Sequence, residues 1–239
     1  MMNTALIEAR DLGKSFAFSP VLRSVNLKVA AGAGAMIIGR NGAGKSTLIK
    51  LLAGLSAPTT GDALLFGNPS RTLEPELRRR VALISHQSFL YPNLTARENL
   101  EFYAELYRLD RGHAGVTGWL ARVGLAAVAD TRVRTFSRGM EQRLGLARAL
   151  MPAPDVILMD EPFAALDAEG VELVAAMLKE ALARGCAAVI TAHEPASPEG
   201  ISLALYEIVR GRLVDLTQAP PGESVVHAFE PFAERQRLR

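Results

Sequence analysis

The chain has 239 residues, 49% of them apolar, enough to bury a substantial core within one domain. Its 27 basic and 25 acidic residues are interspersed and leave a net charge of +2, which argues against a nucleic-acid partner. The single cysteine, Cys186, excludes an intrachain disulfide and reads as a buried thiol in an apolar run; no stretch reaches the ~18 uninterrupted apolar residues of a membrane helix.

Residues 1–14 lack the apolar core of a signal peptide, so the chain is expected to be soluble and to meet a membrane only through a partner. Residues 5–30 alternate as antiparallel edge strands, with a turn predicted at Gly13-Lys14. The apolar run Ala35-Met36-Ile37-Ile38 reads as a buried strand, and residues 46–55 read as a helix. Thr60-Gly61-Asp62 and Gly67-Asn68-Pro69 are predicted turns around a strand at residues 63–66, and residues 81–85 form another short strand. Residues 95–150 are mostly helical, broken at Gly112, Gly115 and Gly124. Two fully apolar strands follow, at residues 156–159 and 187–191, with an amphipathic helix over residues 168–184 stopped by Gly185 between them. Two last strands flank Gly211, and Ala219-Pro220-Pro221-Gly222 reads as a linker to a tail of no assigned role. Strands alternating with helices predict an α/β fold with a mainly parallel core sheet, an antiparallel β edge region and a helical subdomain at about residues 88–150. The expected domain is 1–218, followed by the tail at 219–239.

The segment Gly39-Arg40-Asn41-Gly42-Ala43-Gly44-Lys45-Ser46-Thr47 fits the phosphate-loop pattern G-x-x-x-x-G-K-[ST]. Its glycines let the backbone curl until several N–H groups face one anion, and the following helix adds its positive end. Lys45 then reaches the β- and γ-phosphates, and the Ser46 hydroxyl is a Mg²⁺ ligand. A random chain of this length would match on the order of 1% of the time. The strand before and the helix after make chance rarer still. The motif establishes nucleotide binding as the expectation without choosing among kinases, GTPases and transport ATPases. Further on, Asp160 and Glu161 end a buried strand, the position at which open α/β sheets bind ligands. An Asp there holds Mg²⁺, commonly through water, and an adjacent Glu polarises the water that attacks the γ-phosphate.

Several more segments match one family. Phe136-Ser137-Arg138-Gly139-Met140-Glu141-Gln142-Arg143 resembles the signature motif of ABC-transporter ATPase subunits. Gln87 after a strand resembles their Q-loop, Ala165-Leu166-Asp167 their D-loop, and Thr191-Ala192-His193 their switch histidine. Phe16 stands where the family carries an aromatic that stacks on adenine. Taken singly, these are an ordinary surface glutamine, a hydrogen-bonded histidine, a core aromatic and a helix-capping serine. Their order and spacing over residues 5–215 are specific. The resemblance implies a P-loop NTPase of the ABC type that uses ATP and Mg²⁺. It implies nucleotide contacts from Phe16, Asn41, Gly42, Ala43, Gly44, Lys45, Ser46, Thr47, Ser137, Gly139 and Asp167. Metal contacts fall to Ser46, Gln87 and Asp160, and catalysis to Glu161, His193, Gln87 and Lys45.

It also implies a head-to-tail pair of such domains, a homodimer by expectation, with each ATP between the phosphate loop of one and the signature of the other. The pair would sit at the cytoplasmic face of the cell membrane on an integral-membrane permease. The sequence departs from the pattern at three sites: Arg138 replaces the first signature glycine, Phe16 replaces the commoner tyrosine, and Ala164-Ala165 precedes Leu166-Asp167 where Ser-Gly or Thr-Gly is usual. The stretch over residues 85–103, with Ser137-Arg138-Gly139-Met140, is similar to the ATPases of two-component exporters, the haem exporter of cytochrome c maturation among them. Drug, lipid and polysaccharide exporters stay open, as does a soluble ATPase of the iron–sulfur assembly type.

Overall fold

The computed structural model describes residues 5–17, 19–85, 87–109, 115–163, 166–194 and 201–217. In chain order, β1 (Ala5–Phe16) and β2 (Ser19–Ala30) precede β3 (Gly34–Ile38) and helix α1 (Lys45–Leu52). Next come β4 (Thr60–Leu65), β5 (Asn68–Pro69), the single-turn α2 (Pro75–Arg78) and β6 (Val81–Ile84). A helical block follows: α3 (Ala96–Leu106), α4 (Val116–Arg122) and α5 (Arg138–Leu150). The chain then alternates through β7 (Val156–Asp160), α6 (Ala168–Ala183) and β8 (Ala187–Ala192), and closes with β9 (Ala204–Val209) and β10 (Arg212–Asp215).

The edge region is antiparallel as its alternation predicts, with strand order β2-β1-β4-β5. Two predicted turns within it are strand instead, and of a third, Gly67-Asn68-Pro69, the last two residues form β5, the turn itself falling at Phe66-Gly67. β1 runs straight through Gly13-Lys14, where the glycine serves a close approach: a Cβ there would lie 2.3 Å from Thr60 Oγ1. Thr60-Gly61-Asp62 opens β4. Gly61 (φ 67°) lies where a Cβ would come within 2.3 Å of the Arg10 and Asp11 carbonyl oxygens, at the register shift between Arg10 and Gly13. A bulge with a left-handed glycine looks like a turn in sequence, because both use glycine's freedom.

The second sheet has the order β10-β9-β3-β8-β7-β6, and all neighbours are parallel except β10 with β9. β3, β7 and β8 are buried at every residue, the consequence of unbroken apolar runs covered on both faces. One face packs on α1 and the edge sheet through Ile37, Leu48, Leu52, Leu158 and Val189. The other packs on the helical block and α6 through Ile157, Met159, Leu100, Leu144 and Leu178, so the block shares a core with the sheet.

Caps set the helix boundaries. Thr95 and Glu98 form a capping box at α3, Ser137 caps α5 and Asp167 caps α6. The helix predicted at 46–55 ends at Leu52, with Gly54 (φ 73°) beyond it, and α6 ends just before Gly185 (φ 94°). Gly112, His86, Ala164, Ala165 and the 219–239 tail lie outside the described residues. The C-terminal ends of β3, β8, β7 and β6 lie side by side, so the loops leaving four adjacent parallel strands converge on one edge.

Candidate nucleotide site

The loop from Gly39 to Lys45 joins β3 to α1, and two of its glycines are required by backbone geometry. Gly42 (φ 79°) and Gly44 (φ 111°) are left-handed, and Gly44 is also the N-cap of α1. A Cβ on Gly44 would stand 2.9 Å from Leu22 Cδ2 and 3.1 Å from Val21 Cγ1. Lys45 is 4% exposed, and its ammonium donates to the Gly39 carbonyl at 2.7 Å and the Arg40 carbonyl at 3.3 Å. The same Nζ lies 3.2 Å from Glu161 Oε1.

Glu161 follows β7 at φ 53°, a strained conformation for a residue other than glycine. Its N–H is held by β8: it donates to the Thr191 carbonyl at 3.2 Å and to Thr191 Oγ1 at 3.1 Å. The Thr191 hydroxyl in turn donates to Asp160 Oδ1 at 2.8 Å. Glu161 Oε2 lies 3.1 Å from His193 Nε2, so the carboxylate bridges the phosphate-loop lysine and the histidine after β8.

These groups face a pocket of about 640 Å³. Asn41, Gly42, Gly44, Lys45, Ser46, Thr47, Gln87, Asp160 and Glu161 all line it. Segments from β3, β6 and β7 that are distant in sequence therefore meet at one cavity. The remaining predicted residues lie elsewhere in this chain. Ala43, within the loop, packs against the apolar core without lining the pocket, and His193 reaches the site through Glu161. Phe16 is 54% exposed at the end of β1, with Lys14 Nζ 5.0 Å from its ring centre. Ser137 accepts from the Met140 N–H at 3.3 Å, and a Cβ on Gly139 would meet open space. Asp167 accepts from the Gly170 N–H at 2.8 Å and from Arg143 at 3.3 Å, which holds its carboxyl below the usual range.

The site also holds residues to which the sequence motifs assign no role. Thr191 joins Asp160 to Glu161, and its signal was a hydroxyl at the end of the apolar run Ala187-Ala188-Val189-Ile190. Gln142 Nε2 donates to the Pro162 carbonyl at 2.5 Å, and both residues line the pocket. Arg148 is buried, donates to the Leu83 carbonyl at 3.0 Å and lies over the Phe89 and Tyr103 rings; burial pushes its pKa down. Arg138, the signature departure, also lines the pocket.

A parallel sheet with a phosphate loop after one strand and paired carboxylates after another defines a nucleotide-binding α/β ATPase. The family model described as ABC transporter matches residues 22–164. Cytochrome c biogenesis ATP-binding export protein CcmA 2 of Cupriavidus metallidurans is 34% identical over 204 residues, covering 85% of this chain and 97% of that protein. A Nod factor export ATP-binding protein I of the same organism is 31% identical, with 99% of this chain and 84% of that protein covered. A solved ATP-binding cassette, described as a dimer in a post-hydrolysis state bound to ADP and Pi, has a TM-score of 0.76 at 25% identity. It covers 88% of this chain and 98% of that one. The chain belongs to the ABC transporter family. Within that family it is an ATP-binding, ATP-hydrolysing subunit with the P-loop NTPase fold.

Proposed function

We propose that this chain powers export through a separate membrane permease, working as one of two paired ATPase domains at the cytoplasmic face. The observation that carries its hydrolytic part is Glu161, whose carboxylate lies 3.2 Å from Lys45 Nζ and 3.1 Å from His193 Nε2 at the rim of the phosphate-loop pocket. In this reading the phosphate-loop N–H groups and Lys45 bind the β- and γ-phosphates, and Phe16 stacks on adenine. Glu161 orients the attacking water and takes its proton as the γ-phosphorus–oxygen bond to ADP breaks. His193 holds the γ-phosphate. Ser137 and Gly139 of a second copy close over it, and Asp167 sits at the same junction.

Ser46, Asp160 and Gln87 line the pocket with oxygen donors, a hard set suited to Mg²⁺. Bound there, Mg²⁺ would neutralise charge on the β- and γ-phosphates. The pairing of two such domains draws support from the dimeric neighbour. No described helix is long and apolar enough to cross a membrane, which accords with a partner supplying that part. Phe89, Tyr91, Phe102 and Leu106 are exposed large apolar residues, and Tyr91 and Phe102 meet edge to face at 4.9 Å. We assign this patch on the 88–150 helical subdomain, next to Gln87, to the permease contact.

For cargo, we favour the export step of cytochrome c biogenesis, since the relative bearing that name is covered over 97% of its length. The Nod factor export relative, aligned over 99% of this chain, keeps another cargo as a second reading. Tagged Glu161→Gln, purified from host membranes with ATP and Mg²⁺, tests the proposal by mass spectrometry. Recovery of a polytopic permease is expected, with cytochrome-maturation proteins alongside. A clean soluble dimer, or soluble assembly factors alone, would contradict it.

A further inference from the structure

The turn carrying Glu161 is tied down on both sides, and only one tie comes from the sheet. On the N-terminal side, β8 takes the Glu161 N–H through the Thr191 carbonyl and hydroxyl. On the C-terminal side the next residue is Pro162, which has no N–H to offer a neighbouring strand. Its carbonyl accepts the side-chain amide of Gln142 at 2.5 Å. Gln142 lies on α5, the helix that opens at Ser137 and Arg138. From Ser137 to Gln142 the helix rises only about 7.5 Å, so the two ends of this link move as one body. The adjacent Arg143 extends the attachment, donating to Asp167 and Glu169 at the start of α6 at 3.3 Å each.

Without the amide, the φ 53° turn at Glu161 keeps its β8 anchor but loses the hydrogen bond that holds the Pro162 carbonyl on its far side. The carboxylate is set between two partners, Lys45 at 3.2 Å and His193 at 3.1 Å, so a small rotation of the turn would disturb both contacts. We infer that Gln142 is a positioning residue for ATP hydrolysis. It holds the Glu161–Pro162 turn in register with the signature helix, so that the carboxylate is correctly placed only when that helix is. The inference rests on Glu161 being the carboxylate that activates water.

The test uses the full chain, with turnover and ATP KM measured for three variants of Gln142. Gln142→Ala should lower kcat by about 10- to 100-fold, the effect of ångström-scale misplacement, with ATP KM within about twofold of wild type. Gln142→Lys retains a donor and should recover most of the lost rate. Gln142→Glu keeps the size but sets a carboxylate against the Pro162 carbonyl, and should be no faster than the alanine variant. Combined with Glu161→Gln, Gln142→Ala should cause no further loss below the residual rate, since it acts through the same carboxylate. Wild-type kcat in Gln142→Ala or Gln142→Glu would overturn the inference, and so would losses that multiply in the double variant. If Gln142→Ala does not fold, the Glu and Lys variants carry the comparison. Wild-type turnover in Glu161→Gln alone would defeat the underlying assignment; an inactive Glu161→Gln beside a fully active Gln142→Ala defeats only the positioning role.

Discussion

Replacing Thr191 with valine removes one hydroxyl from a fully buried side chain and keeps its shape. That hydroxyl donates to Asp160 Oδ1 at 2.8 Å and accepts from the Glu161 N–H at 3.1 Å. The Glu161 N–H keeps its bond to the Thr191 backbone carbonyl, so the main loss is the charge-assisted bond to Asp160. A bond to a charged group contributes roughly 1.5–3 kcal/mol, which places the cost near 2 kcal/mol. For a chain of this size that corresponds to a fall in Tm of about 4–8 °C, read by circular dichroism, with turnover down about 10-fold as Asp160 and Glu161 lose their common anchor. Thr191→Ser supplies the contrast. It deletes a buried methyl at about 1 kcal/mol but keeps the hydroxyl, so turnover should be close to wild type. A Thr191→Val protein within about 0.5 kcal/mol of wild type and equally active would show that the hydroxyl anchors neither carboxylate.

Gly44→Ala combines a left-handed φ of 111° with a methyl 2.9 Å from Leu22 Cδ2. Strain of about 1–3 kcal/mol in the phosphate loop should weaken ATP binding about 10-fold or more by titration calorimetry; unchanged affinity would count against the geometry. Arg10, 2.6 Å from Glu8, holds that carboxyl at about 2 against the opposing effect of burial, with Lys28 assisting. A folded pKa below the ordinary 4.5 means that the stabilisation is complete above that value and fades as pH falls towards 2. Glu8→Gln should therefore cost about 1 kcal/mol at pH 7 in urea unfolding, and the gap should close on acidification. Burial pushes the Cys186 thiol up to about 12, so a maleimide at pH 8 should label it only after unfolding; rapid native labelling would contradict its placement.

The parts of the site legible in sequence were those with fixed local spacing. A phosphate loop uses glycines at set offsets beside its lysine, and Asp160-Glu161 stands out at the end of an apolar run. The parallel strands were legible because burial on both faces leaves them unbroken by polar residues. What sequence could not show were ties between distant segments. The Gln142 bond to Pro162 spans 20 residues and the Thr191 bond to Asp160 spans 31, and neither leaves a local pattern. Gly13 and Gly61 misled for a related reason, because glycine marks both a turn and a place where two strands press together. Phe16, Ser137, Gly139 and Asp167 came from family resemblance alone, and in one chain they lie away from the pocket lining.

Phosphate release from ATP by the purified chain, with and without Mg²⁺, beside ATP binding by wild type and Glu161→Gln, tests the account most directly. Mg²⁺-dependent turnover is expected in the wild type. The variant should retain ATP binding with turnover lower by at least about 100-fold, the size of effect that loss of a general base produces. Equal turnover in the two proteins, or none in the wild type, would contradict the account.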